Sequence, residues 1–185
     1  MPTTALLLMD LQAGMLERFE ADAGFVPRIN AAAETARSAG FPVLWVKVEF
    51  RPGYPEVSPR NKAFAALSVS GGLADTDPAA DLHSDLQTQD TDVVVVKKRV
   101  SAFAGSDLEV LLRAAEVDSL VLAGIATSGV VLSTLRQAAD LDFRLTVLAD
   151  GCLDGDDEVH RVLTEKVFPR QAEVTIVEAW SAGVG

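Results

Sequence analysis

The sequence has little of several features, and each shortage excludes a class of protein. Its 185 residues include one cysteine, Cys152, so no internal disulfide can form and a reducing cytoplasm is expected. No apolar run approaches the roughly 20 residues that a membrane-spanning helix requires. Met1-Pro2 leads directly into a strand-like run, without the basic and apolar segments of a secretory leader. We therefore expect a cytoplasmic protein with no membrane partner.

Positive charge is also scarce. The chain has 16 lysines and arginines against 27 acidic residues, for a formal net charge of −11. Nucleic acids and anionic membranes are therefore unfavourable partners. The two histidines, His83 and His160, have no neighbour at the spacing of metal ligands. We predict no metal, no other cofactor and a small molecule as the partner.

The chain alternates strand-like and helix-like segments over its whole length, with no repeat and no change of composition. Most of the strand-like runs are continuously apolar, which is typical of strands covered on both faces. This pattern predicts one α/β domain over residues 1–185, a three-layer α/β/α sandwich around a Rossmann-like, six-stranded, mostly parallel sheet. The predicted strands are Ala5–Asp10, Pro42–Val48, Asp92–Lys97, Ser119–Gly124, Arg144–Asp150 and Glu173–Val177. The predicted helices are Arg28–Ala39, Asp107–Glu116, Ser128–Leu141 and Asp156–Phe168.

One segment, residues 49–91, does not follow the alternation. It is rich in proline and glycine and has no clear period. A loop of this length is either a functional lid or a variable surface insertion, and both interpretations remain open. Its basic residues Arg51, Arg60 and Lys62 could orient a substrate carboxylate or could serve only solubility.

Polar residues follow three predicted strands at their carboxyl ends, where open parallel sheets bind ligands. Asp10 and Gln12 follow the first strand, Lys97 ends the third, and the turn 124–129 follows the fourth. Each has an ordinary explanation too, since such an aspartate often forms a turn and such a lysine often reaches solvent. Because side chains alternate across a strand, only one of Lys97 and Lys98 can face the crevice. Together these residues predict one site.

Three segments carry a more specific resemblance. Residues 6–12, 95–108 and 124–134 are similar, in order and spacing, to the signature regions of the isochorismatase-like cysteine hydrolases. The segment from Asp150 through Cys152 to His160 is similar to the region that follows. The chain is identified as a member of that family, and the resemblance implies that Asp10 and Lys97 are catalytic. The binding residues that we predict are Gln12, Phe103, Ala126, Thr127, Ser128, Gly129 and Val130.

The nucleophilic cysteine of the family is missing. The family pattern Gly-x-Ala-Thr-x-x-Cys places it at position 130, where this sequence has Val130. Cys152 follows the next strand and is predicted to be a small buried hydrophobe, as free cysteines usually are. Thr127 and Ser128 supply hydroxyl groups on the right turn, but we expect them to cap the helix.

The resemblance to members of the family without the cysteine implies non-covalent hydrolysis of a small carboxylate, amide or enol ether. A protonated Asp10 would act as a general acid, or a charged Asp10 as a base toward water, while Lys97 stabilises negative charge. Valine at position 130 narrows the pocket relative to the glycine of true isochorismatases, which disfavours isochorismate. The alternatives are a non-catalytic binding or regulatory homologue and a purely structural subunit. The family also implies a homo-oligomer, a dimer or a tetramer.

Overall fold

The computed structural model describes residues 3–184 and confirms the predicted three-layer α/β/α architecture. One sheet has the strand order β3-β2-β1-β4-β5-β6, and its strand pairs are all parallel. All six predicted strands are present, with ends that differ by a few residues. The strands are β1 (Thr3–Met9), β2 (Val43–Val48), β3 (Val93–Lys97), β4 (Val117–Ile125), β5 (Arg144–Leu153) and β6 (Glu173–Thr175).

Helices within residues 3–184 cover the two faces of this sheet. None of them is long and apolar enough to cross a membrane. The α-helices are α1 (Ala13–Arg18), α2 (Phe25–Ser38), α3 (Lys62–Ser70), α4 (Leu108–Ala114), α5 (Leu132–Asp140), α6 (Asp157–Val162) and α7 (Val177–Gly183). A π-helical turn, Thr127–Val131, precedes α5, and another, Leu163–Val167, extends α6.

The strand β1 shows why the sheet is buried on both faces. Its side chains alternate, so Ala5, Leu7 and Met9 pack with α4 and α5 while Leu6 and Leu8 pack with α2. All five side chains are fully buried. The continuous apolar run therefore fills two cores at once, which is the arrangement that its composition predicts.

The segment 49–91 contains more structure than the sequence predicted. Its helix α3 begins after Asn61, whose side chain accepts a hydrogen bond from Phe64 N–H, and ends at Gly71, which has φ +79°. A 3-10 turn follows at Pro78–Ala80. Phe64 and other apolar side chains of the segment form a small third cluster. The prediction of an irregular loop was wrong for these residues.

The ends of β1 and β4 approach each other so closely that position 124 requires glycine. Gly124 has φ +147°, and a Cβ atom there would lie 2.1 Å from the Met9 carbonyl oxygen. Asp10, the residue directly after β1, has φ +55°, which is uncommon for a residue with a side chain. Its N–H donates a hydrogen bond to Val46 O at 2.7 Å. The register that pairs Met9 with Gly124 places Asp10 beside the turn that follows β4.

Candidate active site

Asp10 and Lys97 form a buried ion pair at the carboxyl ends of β1 and β3. Lys97 Nζ lies 2.9 Å from Asp10 Oδ2 and donates a second hydrogen bond to Arg99 O at 3.0 Å. The two residues are only 5% and 1% exposed. Lys98 lies on the other side of the strand, where its Nζ donates to Glu49 O. Lys97, not Lys98, is therefore the lysine of this crevice, as the strand alternation predicted.

The ion pair leaves part of its bonding capacity unused. Asp10 Oδ1 is buried and has no hydrogen-bond partner within residues 3–184. A lysine ammonium has three donors, and two of those on Lys97 reach Asp10 Oδ2 and Arg99 O. Burial raises the pKa of Asp10 to about 6, although the Lys97 ammonium acts in the opposite direction. Asp10 therefore titrates near neutral pH with one oxygen free.

Both side chains line a cavity of about 250 Å³, which we call the Asp10–Lys97 cavity. A larger cavity of about 730 Å³ lies beside α1 and α2 and contains neither residue. Apart from the ion pair and one arginine, the wall of the Asp10–Lys97 cavity is hydrocarbon and backbone. Its other lining residues are Met15, Arg18, Phe19, Val48, Ala63, Phe64, Leu67, Leu73, Val100, Ile125, Ala126, Gly129 and Val130.

The turn after β4 is held in place from the side of α6. Ser128 N–H donates to Asp154 Oδ2 at 2.7 Å, and Thr127 Oγ1 lies 2.8 Å from His160 Nδ1. Neither side chain caps α5 or the turn before it, so the predicted capping role was wrong. The peptide bond that leads into Ala126 is cis. The Ala126 N–H makes no hydrogen bond to residues 3–184, so this donor is available at the cavity wall.

The structure brings together part of the predicted site. Asp10 and Lys97 lie on one cavity with Ala126, Gly129 and Val130. Val130, where the resemblance predicts the family's cysteine, has an almost fully buried side chain. The predicted aspartate, lysine and helix-start turn therefore share one location.

Four other predicted binding residues lie outside the lining of this cavity: Gln12, Phe103, Thr127 and Ser128. Gln12 is fully buried, and its Nε2 donates to Val48 O at 2.9 Å and to Ala80 O at 2.6 Å. Its Oε1 accepts from Val48 N–H at 3.1 Å. Gln12 therefore joins β1, β2 and the segment 49–91 by hydrogen bonds to their backbone. Phe103 packs in the core against Phe143.

Sequence reasoning missed Arg18. It ends α1, and its guanidinium carbon lies 5.7 Å from the centre of the Phe19 ring. Met15, Arg18 and Phe19 share one face of the helix through i, i+3 and i+4 spacing, and all three line the cavity. That spacing was the available signal, but α1 itself was not predicted. The basic residues considered for this role lie outside the lining: Arg51, Arg60 and Lys62.

Comparisons with known proteins show the family to which the chain belongs. The sequence profile described as "Isochorismatase domain" matches residues 4–179. The isochorismatase family protein YecD of Escherichia coli O157:H7 is 34% identical over 182 residues, which cover 95% of this chain and 93% of YecD. The ureidoacrylate amidohydrolase RutB of Methylobacterium radiotolerans is 32% identical over 206 residues, which cover 99% of this chain and 80% of RutB.

Solved structures show the same fold. A cysteine hydrolase from Pseudomonas syringae pv. phaseolicola 1448A superposes on this chain with a TM-score of 0.91 at 22% sequence identity. The superposition covers 98% of this chain and 92% of the hydrolase chain. At that identity the likeness concerns the fold alone. The profile match spans nearly the whole chain, and the sequence matches exceed 30% identity over most of it. The chain therefore belongs to the isochorismatase family, a family of hydrolases.

Proposed function

We propose that the protein hydrolyses a small carboxylate, amide or enol-ether substrate, with Asp10 as the general base and Lys97 as the group that stabilises negative charge. The observation that carries this proposal is the buried Asp10 Oδ1, which has no hydrogen-bond partner within residues 3–184, on a residue that lines the cavity beside Lys97. A general base works best with a pKa near the operating pH. A buried carboxylate with a pKa of about 6 meets that condition, and an oxygen with no partner keeps its acceptor capacity for a proton.

In the proposed step on an amide, Asp10 accepts a proton from a water molecule as the water oxygen bonds to the carbonyl carbon and the carbon–oxygen π bond breaks to leave a negative oxygen. The carbonyl then re-forms, the carbon–nitrogen bond breaks, and the proton on Asp10 passes to the leaving nitrogen. With an enol ether, protonated Asp10 would first give its proton to the terminal vinyl carbon, and its carboxylate would then accept the proton of the water that adds to the resulting oxocarbenium carbon. The Lys97 ammonium and the Ala126 N–H are the donors available for the developing negative oxygen. The name of the relative RutB supports an amide as the bond that breaks.

The route is non-covalent because Val130 offers no nucleophile. The buried Cys152 is outside the cavity lining, and burial raises the pKa of its thiol to about 12. A thiol with that pKa is almost wholly protonated at neutral pH, and only the thiolate attacks. Water activated by Asp10 is the nucleophile that this site can supply.

The test is a panel of small amides and enol ethers assayed with the wild type, Asp10→Asn and a matched control. Asp90→Asn makes the same chemical change on the exposed surface, away from the cavity. Asp10→Asn should lower kcat about 10²- to 10⁴-fold, and the control should leave it unchanged. For the amides, wild-type kcat/KM should rise with pH and level off above an apparent pKa of about 6, because the base must be ionised. Activity retained in Asp10→Asn, or kcat/KM for the amides that falls as pH rises through 6, would refute the assignment.

A second candidate function is a non-catalytic small-molecule-binding or regulatory homologue. Val130 favours it, because a hydrocarbon stands at the position of the family nucleophile. The same panel separates the two functions. A ligand that raises the Tm of the protein and is recovered unchanged after prolonged incubation indicates binding alone, whereas product formation that depends on Asp10 indicates hydrolysis.

We also propose that the protein acts in the cytoplasm as a dimer or tetramer. The single cysteine suits a reducing compartment. Val94 on β3 is 50% exposed, and β3 is an edge strand, whose open side is a surface at which a second chain can pair. Light scattering of the purified protein gives its mass in solution, and a mass of 19.6 kDa, that of one chain, would contradict the oligomer.

A further inference from the structure

We propose that Arg18 is a specificity-determining residue, which binds the carboxylate of a small substrate with an apolar body. This inference rests on the proposed function for the reaction and narrows its substrate class. Arg18 lies on the cavity-facing side of α1 between Met15 and Phe19. Its guanidinium group lies over the Phe19 ring, a contact that favours an arginine side chain held at the rim of the cavity.

The charge of Arg18 is not offset by a neighbouring side chain. Within residues 3–184 it makes no ion pair and no side-chain hydrogen bond. Three other cations, by contrast, have a carboxylate partner. Lys97 has Asp10 at 2.9 Å, and both Arg51 and Lys98 have Glu56, at 2.6 and 3.8 Å. In a chain with a net charge of −11, an arginine with free donors on a cavity wall is an available anion ligand.

The charges of the whole cavity also favour an anion. The lining has two cations, Arg18 and Lys97, and one carboxyl group, Asp10. The net charge is therefore +1 when Asp10 is ionised and +2 when it is protonated. A monoanion compensates this excess, whereas a cation would be repelled. Because the guanidinium is a planar fork, a carboxylate can accept two parallel hydrogen bonds from it.

The size and the remaining wall of the cavity define the rest of the ligand. Its volume is about 250 Å³, which is roughly eight times the 30 Å³ that one water molecule occupies in the liquid. Facing Arg18 and the ion pair are the side chains of Phe64, Leu67 and Val130, among other apolar groups. The structure therefore fits a monocarboxylate with a compact apolar body, about the size of benzoate.

The test uses benzoate as the probe and acetophenone as its neutral counterpart of similar shape, neither of which the protein can hydrolyse. Affinities are measured by calorimetry or ligand-observed NMR at low salt for the wild type, Arg18→Gln, Arg18→Lys and Arg60→Gln. Arg60 is exposed and outside the cavity lining, so its variant controls for the loss of one charge. The wild type should prefer benzoate to acetophenone by about tenfold or more. Arg18→Gln should weaken benzoate about tenfold and change acetophenone less than about twofold.

Arg18→Lys should fall between wild type and Arg18→Gln for benzoate, because lysine keeps the charge but loses the fork. Failure of benzoate to bind, equal affinity for the two probes, or an equal loss in Arg60→Gln would overturn the inference. These binding measurements need no turnover. If benzoate is preferred through Arg18 but no hydrolysis depends on Asp10, only the proposed function fails. If hydrolysis depends on Asp10 but anions have no advantage, only the role of Arg18 fails.

Discussion

Asp10 should make the folded protein more stable at mildly acidic pH than at neutral pH. Burial raises the pKa of this carboxyl from an ordinary value of 3.8 to about 6 in the folded chain. Between those two values the folded chain binds a proton that the unfolded chain has released. The contribution of Asp10 to the free energy of unfolding therefore falls as pH rises through this window, and the loss is complete above pH 6.

The magnitude follows from the size of the shift. About two pKa units at about 1.4 kcal/mol each correspond to about 3 kcal/mol of free energy of unfolding. Lys97 reduces the pKa shift, because its ammonium lies 2.9 Å from the carboxylate and favours the charged form. Burial is nevertheless the larger influence on the pKa. Domains have roughly 5–15 kcal/mol of stability in total, so the change is large enough to measure.

The assay is urea unfolding followed by tryptophan fluorescence, since Trp45 is fully buried. Wild type and Asp10→Asn are compared at several values between pH 4 and pH 7.5. The other carboxyl groups titrate in both proteins, so the difference isolates Asp10. Wild-type stability minus variant stability should fall by about 2–3 kcal/mol with increasing pH. A difference that is flat, or that grows with pH, would show that Lys97 outweighs burial, and the same comparison with Asp90→Asn should be flat.

Three other changes probe the turn and its surroundings. Val130→Cys places a thiol on the same cavity as Lys97, at a helix start. The pH dependence of its alkylation rate should give a thiol pKa below the ordinary value of about 8.5. A pKa at or above about 8.5 would show that the turn activates no nucleophile. Iodoacetamide should leave native wild-type Cys152 unmodified and any activity intact, because burial raises the pKa of this thiol to about 12; inactivation in step with its modification would contradict this. Gly124→Ala should lower the free energy of unfolding by about 3 kcal/mol or more, because the new Cβ would lie 2.1 Å from Met9 O. A variant Tm within a few degrees of the wild-type value would refute the requirement for glycine.

The sheet could be predicted from the sequence because burial on both faces leaves a continuous apolar run, as in β1 and β4. The short helices α1, α3 and α7 could not. The helix α1 has six residues, with Gly14 in its first turn, and is too short for a period to be recognised. The helix α3 did have readable ends at Asn61 and Gly71. Its apolar side packs on a small cluster instead of the main cores, so its pattern is weak.

In the candidate site, too, some residues could be predicted from the sequence and others could not. Asp10 and Lys97 could be predicted because they follow buried parallel strands at the edge where ligands bind, and because the family resemblance singles them out there. Gln12 shows the limit of that argument, since its amide binds the backbone of neighbouring segments instead of facing the cavity. The position of Arg18 depends on how α1 lies across the ends of the strands. That contact is tertiary, and the i, i+3 and i+4 spacing of Met15, Arg18 and Phe19 does not by itself specify it.

The wall of the Asp10–Lys97 cavity combines residues from the sheet with residues from the segment 49–91, and the two parts tolerate substitution differently. Asp10 and Lys97 stand on strand ends fixed by the pairing of the whole sheet, whereas Phe64 and Leu67 come from α3 in the segment 49–91. The entropy of closing a loop grows slowly with its length, so insertions and replacements there cost little stability. Descendants of one ancestral chain can therefore acquire new ligands by changing this segment while they inherit the ion pair unaltered.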